Sequence, residues 1–254
     1  MQVVALSVSL IRPKDNLVPI LLRTITKHNV KLEDRDIIAI SSKALAIAQG
    51  QIIRLNQISC SRDAIKLAKE YILKPQLVEL ILREADKILG GSKKALLTIK
   101  NGILTVNAGI DTKNAPKGYA ALWPRNPHHS AQLILCEVEK ETQKNIGIII
   151  VDSVVAPLRM GTRGLALAIA GFKPVQDCRN RPDLYQKPLQ ITRHSLADDL
   201  ASTAHLLMGE TNEKIPFVLI KDAPAEFTTE KYLPNELQIP HDQCAFAQAY
   251  MQKT

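Results

Sequence analysis

The sequence predicts an α+β fold of mixed architecture, and two observations carry that prediction. Short apolar runs typical of buried strands alternate with segments whose apolar residues recur at the helical period. Their order is too irregular for a doubly wound sheet or a barrel. Because 254 residues can bury a sizeable core, we expect residues 1–221 to form one domain of two interleaved lobes. Residues 222–254 are expected to pack on it as a C-terminal extension.

The strands are predicted from apolar runs bounded by polar or turn residues. They fall at residues 3–8, 36–40, 96–100, 103–106, 147–151 and 217–220. Asn101 and Gly102, between the third and the fourth run, form the strongest hairpin signal in the chain. We therefore expect these two strands to pair as a hairpin.

The helices are predicted from capping residues that precede apolar positions at the helical period. They fall at residues 15–28, 61–72, 75–90, 130–144 and 195–208. Asp15 and Ser61 are the expected N-caps of the first two helices, and Pro75 occupies the first position of the third. Ser195 begins the last helix, with Asp198 three residues later in a spacing similar to a capping box.

The charge of the chain favours an anionic partner. Thirty-three Lys and Arg against 25 Asp and Glu give a net charge of +8, and residues 156–194 hold seven basic side chains against two acidic ones. This concentration fits a local site for a nucleotide or an acidic metabolite, although charge alone fits a solvated surface equally well. Nucleic acid ranks last as a partner, because aromatic residues, which provide stacking surfaces, make up only 4% of the chain.

The cysteines and the apolar runs argue against several other classes of protein. Cys60, Cys136, Cys178 and Cys244 have neither metal-ligand nor redox spacing, so we expect reduced thiols in a cytoplasmic protein. No apolar stretch approaches the roughly 18 residues that a membrane span needs. The phosphate-loop, dinucleotide-binding, kinase and HExxH motifs are also missing.

Three carboxylates stand where strands or helices end. Asp111 follows an apolar strand, Asp152 ends the run at 147–151 and precedes Ser153, and Glu210 follows a helix. A buried carboxylate without a partner is costly, so each needs solvent or a cation. Carboxylate oxygens suit magnesium or manganese, which typically bridge phosphate groups. The alternative is that Asp111 and Asp152 merely cap turns.

Four further side chains are candidates for binding an anion. Ser42 and Lys43 follow a strand, where a hydroxyl, backbone amides and an ammonium can meet phosphate oxygens. Asn114 can meet a base edge or a phosphate, and Arg159 can bind a carboxylate or a phosphate through two parallel hydrogen bonds. Taken singly, each has an ordinary alternative role as a helix-surface charge, a turn former or an ion-pair partner.

Seven segments in a fixed order carry a resemblance to a known family. They are LVELILRE at 77–84, NAGID at 107–111 with Asn114, VDS at 151–153, Pro157 and Arg159 with Gly161 and Gly164, AGF at 170–172, DLY at 183–185, and ADDLA…LLMGE at 197–210. Together they resemble the coenzyme F-420 precursor:L-glutamate ligase (gamma-glutamyl ligase) family over residues 8–221.

The resemblance implies a GTP-dependent amide ligase that requires magnesium or manganese. Such an enzyme attaches L-glutamate to a deazaflavin precursor or a related acidic acceptor. The implied reaction transfers a phosphoryl group to the acceptor carboxylate, and the amine of glutamate then attacks the acyl phosphate. The family resemblance also implies a homodimer. The low aromatic content and the short apolar runs lead us to expect no nucleic-acid or membrane partner.

The resemblance further assigns roles to individual residues. The implied metal ligands are Asp111, Asp152, Ser153 and Glu210. The implied nucleotide site is lined by Leu10, Ile11, Ser42, Lys43, Asn114, Met208, Gly209 and Thr211. Arg159 is the implied catalytic residue.

The chain departs from the family pattern at several positions. The typical motif Asp-Thr/Ser-x-Gly-Arg-Pro-Trp-Arg has Ala156 here in place of its first arginine and Leu158 in place of its tryptophan. Ile47 replaces the second lysine of a pair, and residues 7–9 replace an early Gly-Leu/Ile-Pro. Each lost charge-assisted hydrogen bond costs roughly 1.5–3 kcal/mol. These changes favour a divergent ligase with a changed acceptor, and the alternative is a non-catalytic binder of nucleotide or metabolite.

Overall fold

The computed structural model describes residues 1–232 and 234–251, and it has the mixed α+β fold that the sequence predicts. The α-helices of these residues are α1 (Leu17–Lys27), α2 (Ser42–Ala48), α3 (Arg62–Tyr71), α4 (Pro75–Glu84), α5 (Pro127–Thr142), α6 (Leu196–Met208) and α7 (Ala245–Met251). The strands are β1 (Gln2–Leu6), β2 (Ile37–Ser41), β3 (Ile52–Arg54), β4 (Lys87–Ser92), β5 (Ala95–Lys100), β6 (Ile103–Val106), β7 (Tyr119–Ala121), β8 (Gly147–Val155), β9 (Thr162–Ala170), β10 (Gln176–Asp177), β11 (Arg193–His194) and β12 (Phe217–Lys221). Within this part of the chain, no helix has the length and apolar character needed to cross a bilayer.

A five-stranded sheet in the order β1-β12-β2-β8-β9 forms the centre of the fold. Only β2 and β8 run parallel; the other neighbours are antiparallel. Successive residues of β2 face opposite sides, so Ile38 and Ile40 pack with α1 and α5, whereas Ile37 and Ala39 pack with α6. Because helices cover both faces, these strands are continuous apolar runs rather than alternating ones.

A second core lies between α2 and α5 in the sequence. The antiparallel sheet β4-β5-β6 and the ribbon β3-β7 enclose it together with α3 and α4. Val78 and Ile81 of α4 pack there against Leu96 of β5 and Ala120 of β7. The two cores meet where β6 and β7 approach the central sheet. The predicted division of the chain at residue 221 stays a prediction.

The C-terminal segment is attached to the central sheet by its first residues. Phe227 lies 6.4 Å from Phe172, ring centroid to ring centroid. The guanidinium of Arg35 lies 5.2 Å from the centroid of the Phe227 ring, and its Nη2 donates to the carbonyl of Ala225 at 3.1 Å. Of the predicted extension at 222–254, residues 233 and 252–254 lie outside the described residues.

Most predicted elements are confirmed, including the β5–β6 hairpin and the Ser61 cap, which accepts from the amide of Ala64 at 3.2 Å. The helix predicted at 75–90 is wrong in its second half. It ends at Glu84, and Lys87–Ser92 is a strand because its backbone pairs with β5. The cap of α1 is Asn16 rather than Asp15, since Asn16 Oδ1 accepts from the amide of Val18.

At Gly164, strand β9 approaches α6 so closely that a side chain does not fit. A Cβ there would lie 2.4 Å from the carbonyl oxygen of Ala201 and 2.6 Å from the amide of Ser202. The hydroxyl of Ser202 also donates to the carbonyl of Gly164 at 3.1 Å. This contact therefore sets the distance between the sheet and the helix that precedes Glu210.

Replacing Gly164 with alanine should lower the free energy of unfolding by about 2–3 kcal/mol, because the backbone of α6 must move to admit the methyl group. Urea unfolding followed by circular dichroism measures this change. Gly118→Ala is the control: Gly118 has φ +86° and no neighbouring atom within 4 Å, so only left-handed strain of about 1 kcal/mol is expected. Equal losses in the two variants would contradict the close-packing argument.

Candidate functional site

A cleft of about 190 Å³ opens where the second core meets the central sheet. Its walls are the start of α2, the turn after β6, the residues after β7, the end of β8 and the start of β9. Five of the predicted site residues line the cleft: Ser42, Lys43, Asp111, Asp152 and Ser153. The fold thus brings together side chains that are far apart in the sequence.

Asp152 reaches this cleft because β2 and β8 are parallel. Ser41, the last residue of β2, pairs with Val151, so the next residues, Ser42 and Asp152, face each other at the carboxyl end of β2. The hydroxyl of Ser42 donates to Asp152 Oδ1 at 2.7 Å, and the indole Nε1 of Trp123 donates to Oδ2 at 2.6 Å. Burial raises the pKa of Asp152, and the hydrogen bonds from Ser42 and Trp123 offset that only in part. Among the described residues, no cationic side chain forms an ion pair with Asp152.

Asp111 faces the same cleft with a different environment. Lys43 donates from its ammonium to Asp111 Oδ2, and the two side chains are 26% and 34% exposed. Asp111 Oδ1 accepts from the amide of Lys113 at 2.7 Å, which is the turn-capping role considered as the alternative. The structure therefore gives Asp111 both a local backbone partner and a cationic partner. Lys43 is held inside the cleft rather than free on a helix surface.

Glu210 lies beside the cleft but does not line it. Its Oε1 accepts from the hydroxyl of Thr162 at 2.6 Å and contacts His205 Nε2 at 2.9 Å. Burial alone would raise the pKa of Glu210, but the hydrogen bonds from Thr162, His205 and Ser153 outweigh it and lower that pKa. Because Thr162 and Ser153 do line the cleft, Glu210 is connected to it through hydroxyl groups.

The donor set of the cleft fits a hard divalent cation. It offers two carboxylates, from Asp111 and Asp152, and two hydroxyls, from Ser42 and Ser153. Magnesium typically takes one or two protein carboxylates and completes its shell with water and substrate phosphate. Within the described residues, no group of three or more His, Cys, Asp or Glu side chains is arranged to hold a metal ion. The assignment of Asp111, Asp152, Ser153 and Glu210 as metal ligands stays a prediction.

The residues predicted to bind nucleotide fall in three places. Ser42 and Lys43 line the cleft. Asn114 Nδ2 donates to the carbonyl of Thr211 at 2.8 Å, so the turn after Asp111 contacts the turn after α6. The amide of Val8 donates to the carbonyl of Lys214 at 2.9 Å, which brings the N-terminal segment to that turn.

The remaining predicted residues do not line the cleft. Ile11 and Met208 pack in the two faces of the central core, whereas Leu10 is exposed. Gly209 has φ +68° and lies against the Glu213 carboxylate. Arg159 is exposed in the loop between β8 and β9, and its guanidinium has no partner among the described residues. Their roles in binding or catalysis stay predictions.

Sequence reasoning missed Trp123, Thr162 and His205. The first contacts a carboxylate 29 residues away and the second one 48 residues away. His205 lies on the last turn of α6, five residues before Glu210. A single histidine on a helix does not by itself indicate a functional site. Trp123 is the only tryptophan in the chain, and that rarity was the one available signal.

Comparison with known proteins gives consistent results. Residues 5–222 match the family model described as F420-0:Gamma-glutamyl ligase. The chain is 39% identical to the coenzyme F420:L-glutamate ligase of Methanocaldococcus jannaschii over 201 residues, which are 79% of this chain and 80% of that protein. It is 35% identical to the protein of the same name from Methanosarcina mazei over 237 residues, 91% of each chain. The corresponding protein of Methanococcus maripaludis is 35% identical over 198 residues, 78% of this chain and 79% of that one.

The desolvation of Asp152 predicts that asparagine at this position stabilises the metal-free protein. Folding raises the pKa of Asp152 above its ordinary 3.8, so the penalty for the charged form is absent below that pH and develops above it. Asp152→Asn should therefore raise the free energy of unfolding by about 0.5–2 kcal/mol near neutral pH and by much less near pH 3. Its amide can still accept from Trp123 and donate to Ser42.

Urea unfolding with a chelator present, at both pH values, measures this effect. Asp34→Asn is the control, because a hydrogen bond from the amide of Asn145 lowers the pKa of the exposed Asp34 and the charged form is already favoured there. No gain is expected from that variant. A gap between wild type and Asp152→Asn that widens on acidification would contradict the prediction.

Proposed function

Because the chain belongs to the F420-0:gamma-glutamyl ligase family, we propose that it joins L-glutamate to the coenzyme F420 precursor or to a related acidic acceptor. Family membership makes it a ligase that forms amide bonds. The observation that carries the proposal is the half-buried Asp152, oriented by two neutral donors in a cleft that also holds Lys43 and Asp111. The proposed setting is the cytoplasm, where the four free cysteines would stay reduced.

The proposed reaction has two steps, with GTP as the phosphoryl donor. In the first, an oxygen of the acceptor carboxylate attacks the γ-phosphorus, the bond to the bridging oxygen breaks, and GDP leaves an acyl phosphate behind. In the second, the amine of glutamate attacks the acyl carbon, and phosphate departs with the electrons of the broken C–O bond while the nitrogen loses a proton. Such phosphoryl transfer needs positioning and charge neutralisation more than covalent participation by the protein.

The residues of the cleft suit these requirements. Asp111 and Asp152, with Ser153 and Glu210, would hold magnesium or manganese, which when bound neutralises phosphate charge. Lys43 would exchange its contact with Asp111 for phosphate oxygens, and Ser42 would keep Asp152 in place. The larger set proposed to bind the nucleoside comprises Leu10, Ile11, Asn114, Met208, Gly209 and Thr211. Arg159, exposed beside the cleft wall, would bind the acceptor carboxylate.

The positions that depart from the family pattern favour a changed acceptor over a loss of catalysis. Ala156 and Leu158 lie in the loop between β8 and β9 and do not line the cleft. Ile47 packs against the face of the central sheet that α1 and α5 cover. The carboxylates and Lys43 are all present on or beside the cleft wall. A non-catalytic binder of nucleotide remains the competing hypothesis, and turnover distinguishes the two.

Purified protein with GTP, manganese, L-glutamate and a panel of carboxylate acceptors should release phosphate. Asp152→Ala should slow that release by about 100-fold or more, since charge stabilisation at the transferring phosphoryl group would be lost. Asp63→Ala, which removes an exposed carboxylate in the first turn of α3, is the control and should match wild type. Calorimetry that detects nucleotide binding with metal, together with no phosphate release from any acceptor, would favour the binder and contradict the ligase.

We also propose that the enzyme is a homodimer and that residues 176–194 bind the second copy. Residues 176–194 form an arm in which β10 pairs with β11 and the residues between them are held by hydrogen bonds within the arm. Leu184, Tyr185 and Ile191 on this arm are all more than four-fifths exposed. Large exposed apolar side chains gathered on one segment are typical of an interaction surface.

Leu184→Asp combined with Ile191→Asp should convert the dimer to a monomer, because two charges would be buried without partners at the interface. Light scattering coupled to gel filtration measures the mass. Leu206→Asp is the control, since Leu206 is equally exposed but lies on α6, and it should remain dimeric. A monomeric wild type, or a double variant that still dimerises, would contradict the arm as the interface.

A further inference from the structure

Trp123 contacts the candidate site directly, through Asp152. Neither the family pattern nor the roles proposed above explain this contact. Its indole is 5% exposed, and its Nε1 donates to Asp152 Oδ2 at 2.6 Å. Ser42 donates to the other oxygen, Oδ1, at 2.7 Å. Each oxygen of Asp152 is thus fixed by one neutral donor, and the two donors come from different elements of the fold.

The surroundings of the indole leave it little freedom. Gly109 has φ +69°, and a Cβ there would lie 2.1 Å from Trp123 Nε1. Both the backbone conformation and the lack of space require glycine at this position. The ammonium of Lys100 lies 5.7 Å from the ring centroid and is paired with Glu84 at 2.5 Å. The ring is therefore held at its edge by Gly109 and over its face by Lys100.

The chemistry of the two donors matters as much as their geometry. An arginine or lysine in the place of Trp123 would orient Asp152 but also cancel its charge. An indole N–H and a hydroxyl orient the carboxylate and leave its charge in place. A carboxylate has about four acceptor positions, so Ser42, Trp123 and the backbone hydrogen bond from Ser153 do not use all of them, and a ligand in the cleft can still bind Asp152. Outer partners of this kind govern how strongly a ligating carboxylate binds.

We infer that Trp123 is a positioning residue, which holds the Asp152 carboxylate in the orientation that the proposed phosphoryl transfer requires. This inference rests on the proposed function for the chemistry that Asp152 serves. It goes beyond it in assigning to a residue outside the family motifs the task of orienting that side chain. Trp123 acts through Asp152 and does not contact the reacting groups itself.

Trp123→Phe tests this inference, because phenylalanine fills most of the space but has no N–H. We expect the affinity for manganese, measured by calorimetry, to fall by about 10- to 100-fold. The kcat should fall by a similar factor, while KM for glutamate stays near the wild-type value. Phe172→Leu is the control: it also replaces a buried aromatic ring by a smaller side chain, but Phe172 follows the end of β9 that lies away from the cleft. It should lower stability and leave the manganese affinity unchanged.

The hydrogen bond itself can be observed in the metal-free protein. A single tryptophan gives a single indole N–H resonance in a ¹H–¹⁵N spectrum, and a carboxylate acceptor moves that proton downfield. In Asp152→Ala the resonance should move upfield and its exchange with water should accelerate, whereas in Phe172→Leu it should stay in place. An indole resonance that Asp152→Ala leaves unchanged would overturn the inference.

The two proposals can fail separately. If wild type turns over and Trp123→Phe matches it in manganese affinity and kcat, the positioning role is overturned and the ligase proposal stands. If wild type neither binds manganese nor releases phosphate, the ligase proposal is overturned and the positioning role with it.

Discussion

The parallel pairing of β2 with β8 is the constraint on which the candidate site depends. Ser42 and Asp152 are 110 residues apart in the chain, yet their side chains meet at 2.7 Å because Ser41 pairs with Val151, and Ser42 and Asp152 are the next residues in the same strand direction. The register is firmly set, since β2 and most of β8 are buried on both faces. A slip by one residue would turn each side chain to the other face of the central sheet and disrupt the packing on both faces. The packing of isoleucines thereby fixes the position of a carboxylate.

The three carboxylates of the site show how one fold gives the same chemical group different properties. Asp111 has an ammonium beside it, and Glu210 has hydroxyl and imidazole partners that lower its pKa. Among the described residues, Asp152 accepts its hydrogen bonds from neutral donors, and burial raises its pKa although the nearby charge of Lys43 lowers it. The protein thus stabilises the charged form of Asp152 less than that of Glu210, and under the proposed function a bound cation would relieve that cost. Under the proposed function, Asp152 would lower stability in return for metal binding.

The features that could be predicted from the sequence are those that depend on neighbouring residues in the chain. Asn101 and Gly102 favour a hairpin turn through their own backbone preferences, and Ser61 caps its helix with its own hydroxyl. Asp152 was recognised because a charge at the end of an apolar run needs a partner. By contrast, residues 87–92 carry a helix-compatible pattern and become a strand only because β5 pairs with them. Strand β9 and the contact of Trp123 with Asp152 likewise arise from distant residues, which no local pattern encodes.

Trp123 does not take the place of the tryptophan that the family pattern has at position 158. The family pattern has a tryptophan where Leu158 stands, in the exposed loop between β8 and β9. Trp123 cannot replace its flat surface, because its ring is buried and Lys100 lies over its face. The part of Trp123 that contacts the candidate site is its N–H edge, which donates to Asp152. Under the proposed function, binding of the acceptor must therefore rely on charge and hydrogen bonding rather than on stacking in this loop, and Arg159 is its exposed cation.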